Sequence, residues 1–255
     1  MNGVLSANHG EGRRRRQAGI RYNPRFKPLV RPVNLLAIET STEFLSLAAL
    51  RGDDVLTHHV EAGQRHAELI LDAISGLLAR AGLRFEDLQG IAYGEGPGSF
   101  TGLRIACGVV QGLATAGGLE VLGVSSLLAL AEEADADRSF VCLDARMGEV
   151  YHAAYRRNGG AWQVEHAPGL CRPQEVPVPQ GREWSGCGSG FAAFGALLRG
   201  RLGGALGEVR PDISPTAAAV LRLARPRFER GEGRAAESAI PVYLRDRVAL
   251  KTSER

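Results

Sequence analysis

The sequence predicts an α/β protein built from two lobes. Residues 33–60 show three short apolar runs separated by polar turns, and residues 65–134 then alternate helical and strand spacing. A new strand–turn–strand pattern begins at Arg138. A chain of 255 residues is long enough for two lobes with a core each. We therefore divide it into a first lobe, residues 33–136, and a second lobe, residues 137–255, whose C-terminal segment can pack back on the first.

The first lobe is expected to begin with an antiparallel meander, and Gly82 is expected to end the helix that follows it. The predicted strands are 33–38, 44–50, 55–60, 90–93 and 121–124, and the predicted helices are 65–81, 103–116 and 125–134. Three strands followed by alternating helices and strands is the order of the ribonuclease-H-like lobe that actin, Hsp70 and sugar kinases share. The sequence therefore predicts this fold.

The second lobe is expected to restart the architecture with a hairpin. Its predicted strands are 138–144, 149–155 and 183–187, its predicted helices are 191–198 and 217–228, and residues 241–245 are predicted to be extended. Residues 167–180 are rich in proline and polar side chains, so we expect a loop there. Pro215 is expected in the first turn of the last helix.

A glycine-rich turn joins the strand at 90–93 to the helix at 103–116. Backbone N–H groups at the start of a helix have no partner within the helix and can bind a phosphate or a carboxylate. Ser99 or Thr101 can cap the helix that starts here. However, the glycine spacing matches neither of the common phosphate-binding loops. On spacing alone, we interpret the turn as a close contact between helix and sheet.

Four motifs in a fixed order carry a resemblance to a known family. They are residues 96–104 (Gly-Pro-Gly-Ser-Phe-Thr-Gly-Leu-Arg), 124–127 (Val-Ser-Ser-Leu), 144–151 (Asp-Ala-Arg-Met-Gly-Glu-Val-Tyr) and 241–245 (Pro-Val-Tyr-Leu-Arg). Over residues 33 to 251 the chain resembles the bacterial TsaB (YeaZ) family. The resemblance implies a non-catalytic subunit that binds and activates its paralogue TsaD, which it is similar to in fold. TsaD transfers a threonylcarbamoyl group to adenosine in tRNAs that read codons beginning with A. Further implied partners are the ATPase TsaE and, through the complex, tRNA.

The fold and the resemblance also indicate where a nucleotide would bind. In ribonuclease-H-like proteins the turn after the first strand faces phosphate, which makes Thr40 and Ser41 candidates here. The second phosphate loop of sugar kinases contains an aspartate and several glycines. At the corresponding place, this chain has only Asp144 and Gly148. Turn hydroxyls usually satisfy their own backbone, and an aspartate beside Arg146 can simply pair with it. We therefore expect weak ATP or ADP binding at most, and no intrinsic cofactor.

No metal site is expected in this chain. By resemblance, TsaD carries a His-x-x-x-His metal pair at the positions that Ser126 and Leu130 occupy here, so the metal is expected only in the partner. His66 lacks a second histidine four residues on. The four cysteines show no C-x-x-C pairing and are expected to be reduced packing residues: Cys107, Cys142, Cys171 and Cys187.

Three enzyme classes are alternatives to the subunit role, and for each of them the chain lacks a required feature. A kinase of this fold needs an aspartate where the chain has Glu39, and a nuclease needs a second acid beside that residue to hold two metals. A serine hydrolase needs a Gly-x-Ser-x-Gly turn, and the nearest segment, residues 186–190, has the wrong glycine spacing. We therefore predict no catalytic residue.

Two helices are predicted to form the partner interface. Small residues follow each other at four-residue spacing on the second helix of the first lobe, and apolar residues fill the helix before it. The predicted interface residues are Leu69, Ile70, Ala73, Leu77, Gly108, Gly112 and Ala116. The alternative is that these residues pack against the neighbouring helix. Without its partner, the chain could use the same face to form a homodimer.

The charge of the chain is unevenly distributed. Residues 1–32 hold eight of the 31 basic residues and one of the 28 acidic residues, which leaves 23 bases and 27 acids elsewhere. This balance does not favour a globally basic nucleic-acid-binding domain. We call residues 1–32 the basic tail. It is either an RNA-binding arm or a disordered extension, and we favour the extension because the family resemblance begins at Val33. The sequence shows neither a bilayer-spanning run nor a secretory signal, so we expect a soluble, cytoplasmic protein without membrane contact.

Overall fold

The computed structural model describes residues 33–245. The predicted basic tail, residues 1–32, lies outside the described residues. The strands are β1 Leu35–Glu39, β2 Phe44–Arg51, β3 Asp54–Glu61, β4 Gly90–Gly96, β5 Glu120–Ser125, β6 Arg138–Asp144, β7 Val150–Asn158, β8 Ala161–Cys171, β9 Trp184–Cys187 and β10 Leu206–Arg210. The α-helices are α1 His66–Arg80, α2 Phe100–Gly117, α3 Ser126–Ala134, α4 Ser189–Leu202 and α5 Ala217–Glu229.

Two five-stranded sheets have the same topology. The first has the order β3-β2-β1-β4-β5 and the second the order β10-β9-β6-β7-β8. In each sheet an antiparallel meander comes first, and two parallel strands are then added on the other side of its first strand. This repeated order confirms the predicted two-lobe, ribonuclease-H-like α/β fold.

The central strand β1 is apolar from Leu35 to Ile38 because both faces of its sheet are covered. Leu36 and Ile38 point into a core shared with α1 and α2, whereas Leu35 and Ala37 point into a core shared with α5. Alternate residues of a strand face opposite sides of the sheet, so a doubly covered strand shows no polar alternation. The C-terminal helix α5 therefore returns to the first sheet.

Helix α3 lies between the two sheets. Leu127 and Leu130 pack with Val141 and Leu143 of the second sheet, while Ala129 belongs to the core beside α5. Packing thus groups the elements differently from chain order. From here on, the first lobe means the first sheet with α1, α2 and α5, and the second lobe means the second sheet with α4; α3 joins them.

Two sequence predictions about local structure were wrong, and one strand was missed. Residues 167–171, expected in a loop, belong to β8, an edge strand that tolerates Pro168 because one of its sides pairs with no other strand. Strand β10 was not predicted, since a short, partly exposed edge strand leaves little periodicity. Pro215 precedes the first turn of α5, because Thr216 is the residue that caps it, accepting a hydrogen bond from Ala219 N at 3.1 Å.

Within residues 33–245, none of the helices combines the length and the apolar character that crossing a bilayer requires.

Candidate functional site

A cleft of about 1140 Å³ separates turns of the two lobes. The first lobe contributes Ser41 and the start of α2, and the second contributes the β6–β7 turn and the start of α4. Tyr243 and Arg245, near the end of the described chain, line the same cavity. The cleft thus brings three of the four sequence motifs together.

The turn after β1 is held by Glu39, whose side chain is buried. Glu39 Oε1 accepts a hydrogen bond from Ser41 N at 2.6 Å, and Oε2 accepts one from Ser126 Oγ at 2.8 Å. Burial raises the pKa of Glu39, and these hydrogen bonds only partly oppose that rise. A Cβ at Gly94 would overlap the Glu39 carboxyl group, so β4 needs a glycine there. Glu39 therefore shapes the turn and does not line the cleft.

Titration of Glu39 has a measurable consequence. Because its pKa is raised on folding, stability decreases as the pH rises through the folded-state pKa. The uncharged glutamine side chain can accept the hydrogen bond from Ser41 N with its carbonyl oxygen and donate its amide NH2 group to Ser126 Oγ. We expect Glu39→Gln and the unsubstituted chain to melt at similar temperatures near about pH 4, with the substituted chain more stable by about pH 8. Thermal denaturation followed by circular dichroism measures this difference. Glu43→Gln, at an exposed carboxyl group on the same turn, is the control; a Glu39→Gln advantage that did not grow with pH would contradict the assignment.

The two hydroxyl candidates on this turn differ in their environment. Thr40 Oγ1 donates to Gly102 O at 2.9 Å and is fully buried, so it fastens the turn to the first residues of α2. Ser41 is 3% exposed and lines the cleft, and its Oγ has no hydrogen-bond partner among the described residues. Of the two, only Ser41 is positioned to meet a ligand.

The glycine-rich turn provides close packing, as its spacing predicts. A Cβ at Gly98 would collide with Ser41, and one at Gly102 would collide with the carbonyl oxygen of Thr40. Ser99 caps α2 by accepting a hydrogen bond from Gly102 N at 3.2 Å. The two glycines therefore let α2 begin directly against the turn that follows β1.

On the other side of the cleft, Asp144 is engaged within its own turn. Its carboxylate accepts a hydrogen bond from Arg146 N at 2.8 Å and pairs with the Arg146 guanidinium at 3.3 Å, the pairing that the sequence suggests. Arg146, Met147 and Gly148 all have positive φ. Gly148 relieves strain in this turn but does not line the cavity, so its part in the predicted nucleotide site is limited to the backbone.

Ser126 and Leu130, at the positions where by resemblance TsaD carries its histidine pair, are both fully buried. Ser126 donates to Glu39, and Leu130 packs in the core below the second sheet. His66 Nε2 lies 3.2 Å from the carbonyl oxygen of Phe44, which gives this histidine a structural partner. Within residues 33–245 no three His, Cys, Asp or Glu side chains are grouped closely enough to hold a metal.

The cysteines are poor nucleophiles. Cys107, Cys142 and Cys187 are buried free thiols, and Cys171 is half-buried. Burial raises the pKa of Cys107 to about 11 and that of Cys187 to about 12. Because the thiolate is the reactive form, these two side chains are inert at neutral pH.

The structure corrects the predicted partner interface at two residues. Ile70 and Leu77 are each 1% exposed and belong to the core between α1, α2 and the first sheet, so they cannot contact a partner. Apolar spacing on α1 marked the side that faces the sheet. The remaining predicted residues are half-buried or exposed, and we call them the α1–α2 face: Leu69, Ala73, Gly108, Gly112 and Ala116.

The sequence did not reveal that Tyr243 and Arg245 contact both lobes beside the cleft. Arg104 Nε donates to the Tyr243 hydroxyl at 2.8 Å, and the Arg104 guanidinium lies 3.6 Å from the centre of the Phe100 ring. Arg245 forms a 2.7 Å ion pair with Glu149. The available signal was that each of these residues, Phe100, Arg104, Glu149, Tyr243 and Arg245, lies in one of the four motifs.

Comparison with known proteins gives consistent matches. A family model described as TsaD, tRNA N6-adenosine threonylcarbamoyltransferase, matches residues 58–250. The tRNA threonylcarbamoyladenosine biosynthesis protein TsaB of Escherichia coli K12 is 37% identical over 227 residues, covering 86% of this chain and 97% of its own length. The TsaB of Haemophilus influenzae is 34% identical over 235 residues, covering 86% and 96%.

Solved structures of the same kind are similar in fold as well. YeaZ from Pseudomonas aeruginosa superposes with a TM-score of 0.76 at 38% identity, covering 83% of this chain and all of its own. A second Pseudomonas aeruginosa structure, described as an uncharacterized protein with similarity to peptidase YEAZ, gives a TM-score of 0.77 at 38% identity and covers 84% and 100%. Such identity extends well beyond the four motifs and across both sheets, so the chain belongs to the TsaB (YeaZ) family.

Proposed function

We propose that this chain is the non-catalytic subunit of a heterodimer with a TsaD-family partner. It would bind and activate that partner while a threonylcarbamoyl group is transferred to adenosine of tRNAs that read codons beginning with A. The observation that carries the proposal is the outer side of α2. Gly108 and Gly112 are exposed, and a Cβ added at either one meets no atom within 4 Å. Ala116 extends this row by one turn, and small residues in a row let another helix approach closely.

The polar groups that this fold would use for chemistry are engaged elsewhere. Glu39 and Ser126 bind each other, Thr40 fastens α2, and Asp144 pairs with Arg146. Because a general base or a metal ligand must be free to reach substrate, these bonds favour a subunit without catalytic groups.

The α1–α2 face has the composition of a helix-packing surface. Leu69 and Ala73 of α1 are half-buried and pack against the core that α1 shares with α2, while the small residues on α2 are exposed. By resemblance to the family, two helices from each protein would meet in a pseudo-symmetric four-helix contact. A chain without its partner would cover the same face by forming a two-fold homodimer.

Further partners belong to the assembled complex. We propose that TsaE, the ATPase, and tRNA are bound by the complex and that any metal is held by the TsaD-family subunit. Since residues 33–255 carry more acids than bases, this chain alone is not a strong candidate for RNA binding.

Co-expression with the TsaD-family protein of the same genome tests the proposal. We expect the two chains to elute together in size exclusion and the pair to modify tRNA, while each chain alone does not. Elution of the two chains as separate species, or full modification by the TsaD-family protein alone, would overturn the activating role.

Nucleotide binding by the isolated chain should be weak or undetectable. Ser41 has a free hydroxyl in the cleft, but Thr40 and Asp144 are already hydrogen-bonded and would have to give up partners. We expect titration calorimetry with ATP or ADP to show a dissociation constant of about 1 mM or weaker. Tight binding that Ser41→Ala or Asp144→Ala abolished would instead support a nucleotide-dependent role.

A further inference from the structure

The segment before the end of the described chain runs along the first lobe. We call residues 236–245 the strap. Gln111 Nε2 donates to Ala239 O at 3.0 Å, and Val242 N donates to Glu95 O at 2.7 Å. Tyr243 then accepts a hydrogen bond from Arg104 and packs against Phe100, with ring centres 5.3 Å apart. Most of the strap is therefore fixed to β4 and α2.

Two residues after Tyr243, the strap reaches the second lobe. Arg245 Nη2 lies 2.7 Å from Glu149 Oε2 and 3.5 Å from Arg146 O. The Arg245 side chain is 15% exposed, whereas Arg230, paired with Glu232 at the surface, is 59% exposed. A shielded ion pair is screened less by water and salt than an exposed one, so the Arg245–Glu149 pair is the stronger restraint.

The position of this bridge matters because it lies at the cleft. Tyr243 and Arg245 both line the cavity, as does the β6–β7 turn that Arg245 contacts. Two-lobe proteins commonly open and close such clefts by hinge motion between the lobes. Opening here would have to break the Arg245–Glu149 pair or detach the strap from α2.

We propose that the strap acts as a latch: it joins the two lobes across the cleft and keeps the width of the cleft constant. The first-lobe end of the latch is the cluster of Phe100, Arg104 and Tyr243, and the second-lobe end is Glu149. While these contacts are intact, the two lobes move as one rigid body. A ligand that needs a wider cleft can enter only after the Arg245–Glu149 pair breaks or the strap detaches from α2.

The distance between the lobes tests the latch in the isolated chain. Nitroxide labels at Glu68→Cys on α1 and Ala196→Cys on α4, in a Cys171→Ser background, report that distance by electron–electron double resonance. Glu68 and Ala196 are exposed, and the three other cysteines are buried. We expect a single narrow distribution for the full chain. With Arg245→Ala the distribution should broaden toward longer distances, and Glu149→Ala should reproduce this effect.

Two further variants keep the test decisive. Arg230→Ala removes an arginine from an ion pair that joins two nearby residues of the first lobe, and should leave the distribution narrow. Ending the chain after Pro241 removes Tyr243 and Arg245, the strap residues that contact Arg104 and Glu149, and should broaden the distribution at least as much as Arg245→Ala does. Circular dichroism must show that each variant is folded. Distributions for Arg245→Ala and for the shortened chain that match the full chain would show that the strap does not hold the lobes, and the proposal would be wrong. Because no partner is present, this result is independent of whether the α1–α2 face binds a TsaD-family protein.

Discussion

Gly112→Arg is expected to abolish both assembly with the TsaD-family partner and tRNA modification, in a chain that remains folded. Space around Gly112 is open in the isolated chain, so an arginine there meets no internal obstacle. At a close helix–helix contact the same side chain would hold the helices apart and bury an unpaired charge. That burial costs about 3–5 kcal/mol, which weakens association roughly 100-fold to 1000-fold or more. Size exclusion with the partner and a tRNA modification assay measure the two losses.

Gly200→Arg is the matched control for this substitution. Gly200 is also an exposed helical glycine with open space around it, but it lies on α4 in the second lobe. We expect this variant to assemble and to support modification normally. If a folded Gly112→Arg chain did the same, the interface would lie elsewhere on the molecule.

Gly102→Ala should strongly destabilise the fold and thereby remove function indirectly. The added methyl group would overlap the carbonyl oxygen of Thr40, a backbone atom that cannot rotate away. Displacing α2 from the turn that follows β1 should lower the free energy of unfolding by about 3 kcal/mol or more. For a domain of this size, that corresponds to a decrease of about 6–12 °C in melting temperature. Thermal denaturation measures it directly.

Gly108→Ala makes the same change two turns further along α2. No atom lies near the added methyl group, and alanine is the better helix former by about 1 kcal/mol. This variant should therefore melt at an equal or higher temperature. A Gly102→Ala chain as stable as the Gly108→Ala chain would mean that the close contact with Thr40 is not required.

Local spacing was enough to predict most of the architecture. Residues 35–38 of β1 are all apolar because their sheet is covered on both faces, and Gly98 and Gly102 follow β4 because α2 must start against the β1–β2 turn. The contacts that require these residues are made with distant segments. Each requirement nevertheless leaves a local pattern, an apolar run or a glycine-rich turn, which is why periodicity and turn composition revealed it. Strand β10 and the end of β8 lack such a signal, because edge strands of mixed polarity resemble loops.

The candidate site depended more on contacts between distant residues. Sequence alone could name Thr40 and Ser41, but not which hydroxyl would be free. That outcome depends on Gly102, which lies 62 residues beyond Thr40: its carbonyl oxygen accepts a hydrogen bond from the Thr40 hydroxyl. The same holds for α1: its apolar residues were visible, but only packing against the sheet decided that Ile70 and Leu77 are inside.

The order of the amino acids alone was therefore enough to predict the two-lobe succession of strands and helices, the family, and the four-residue spacing of small residues on α2. Each is encoded in neighbouring residues or in short motifs whose order can be read directly. The hydrogen bond between Ser126 and Glu39 and the ion pair between Arg245 and Glu149 became apparent only in the folded chain, since the paired residues are 87 and 96 positions apart. A hydrogen bond or an ion pair has a range of a few ångströms, so its partner depends on how the chain folds in space.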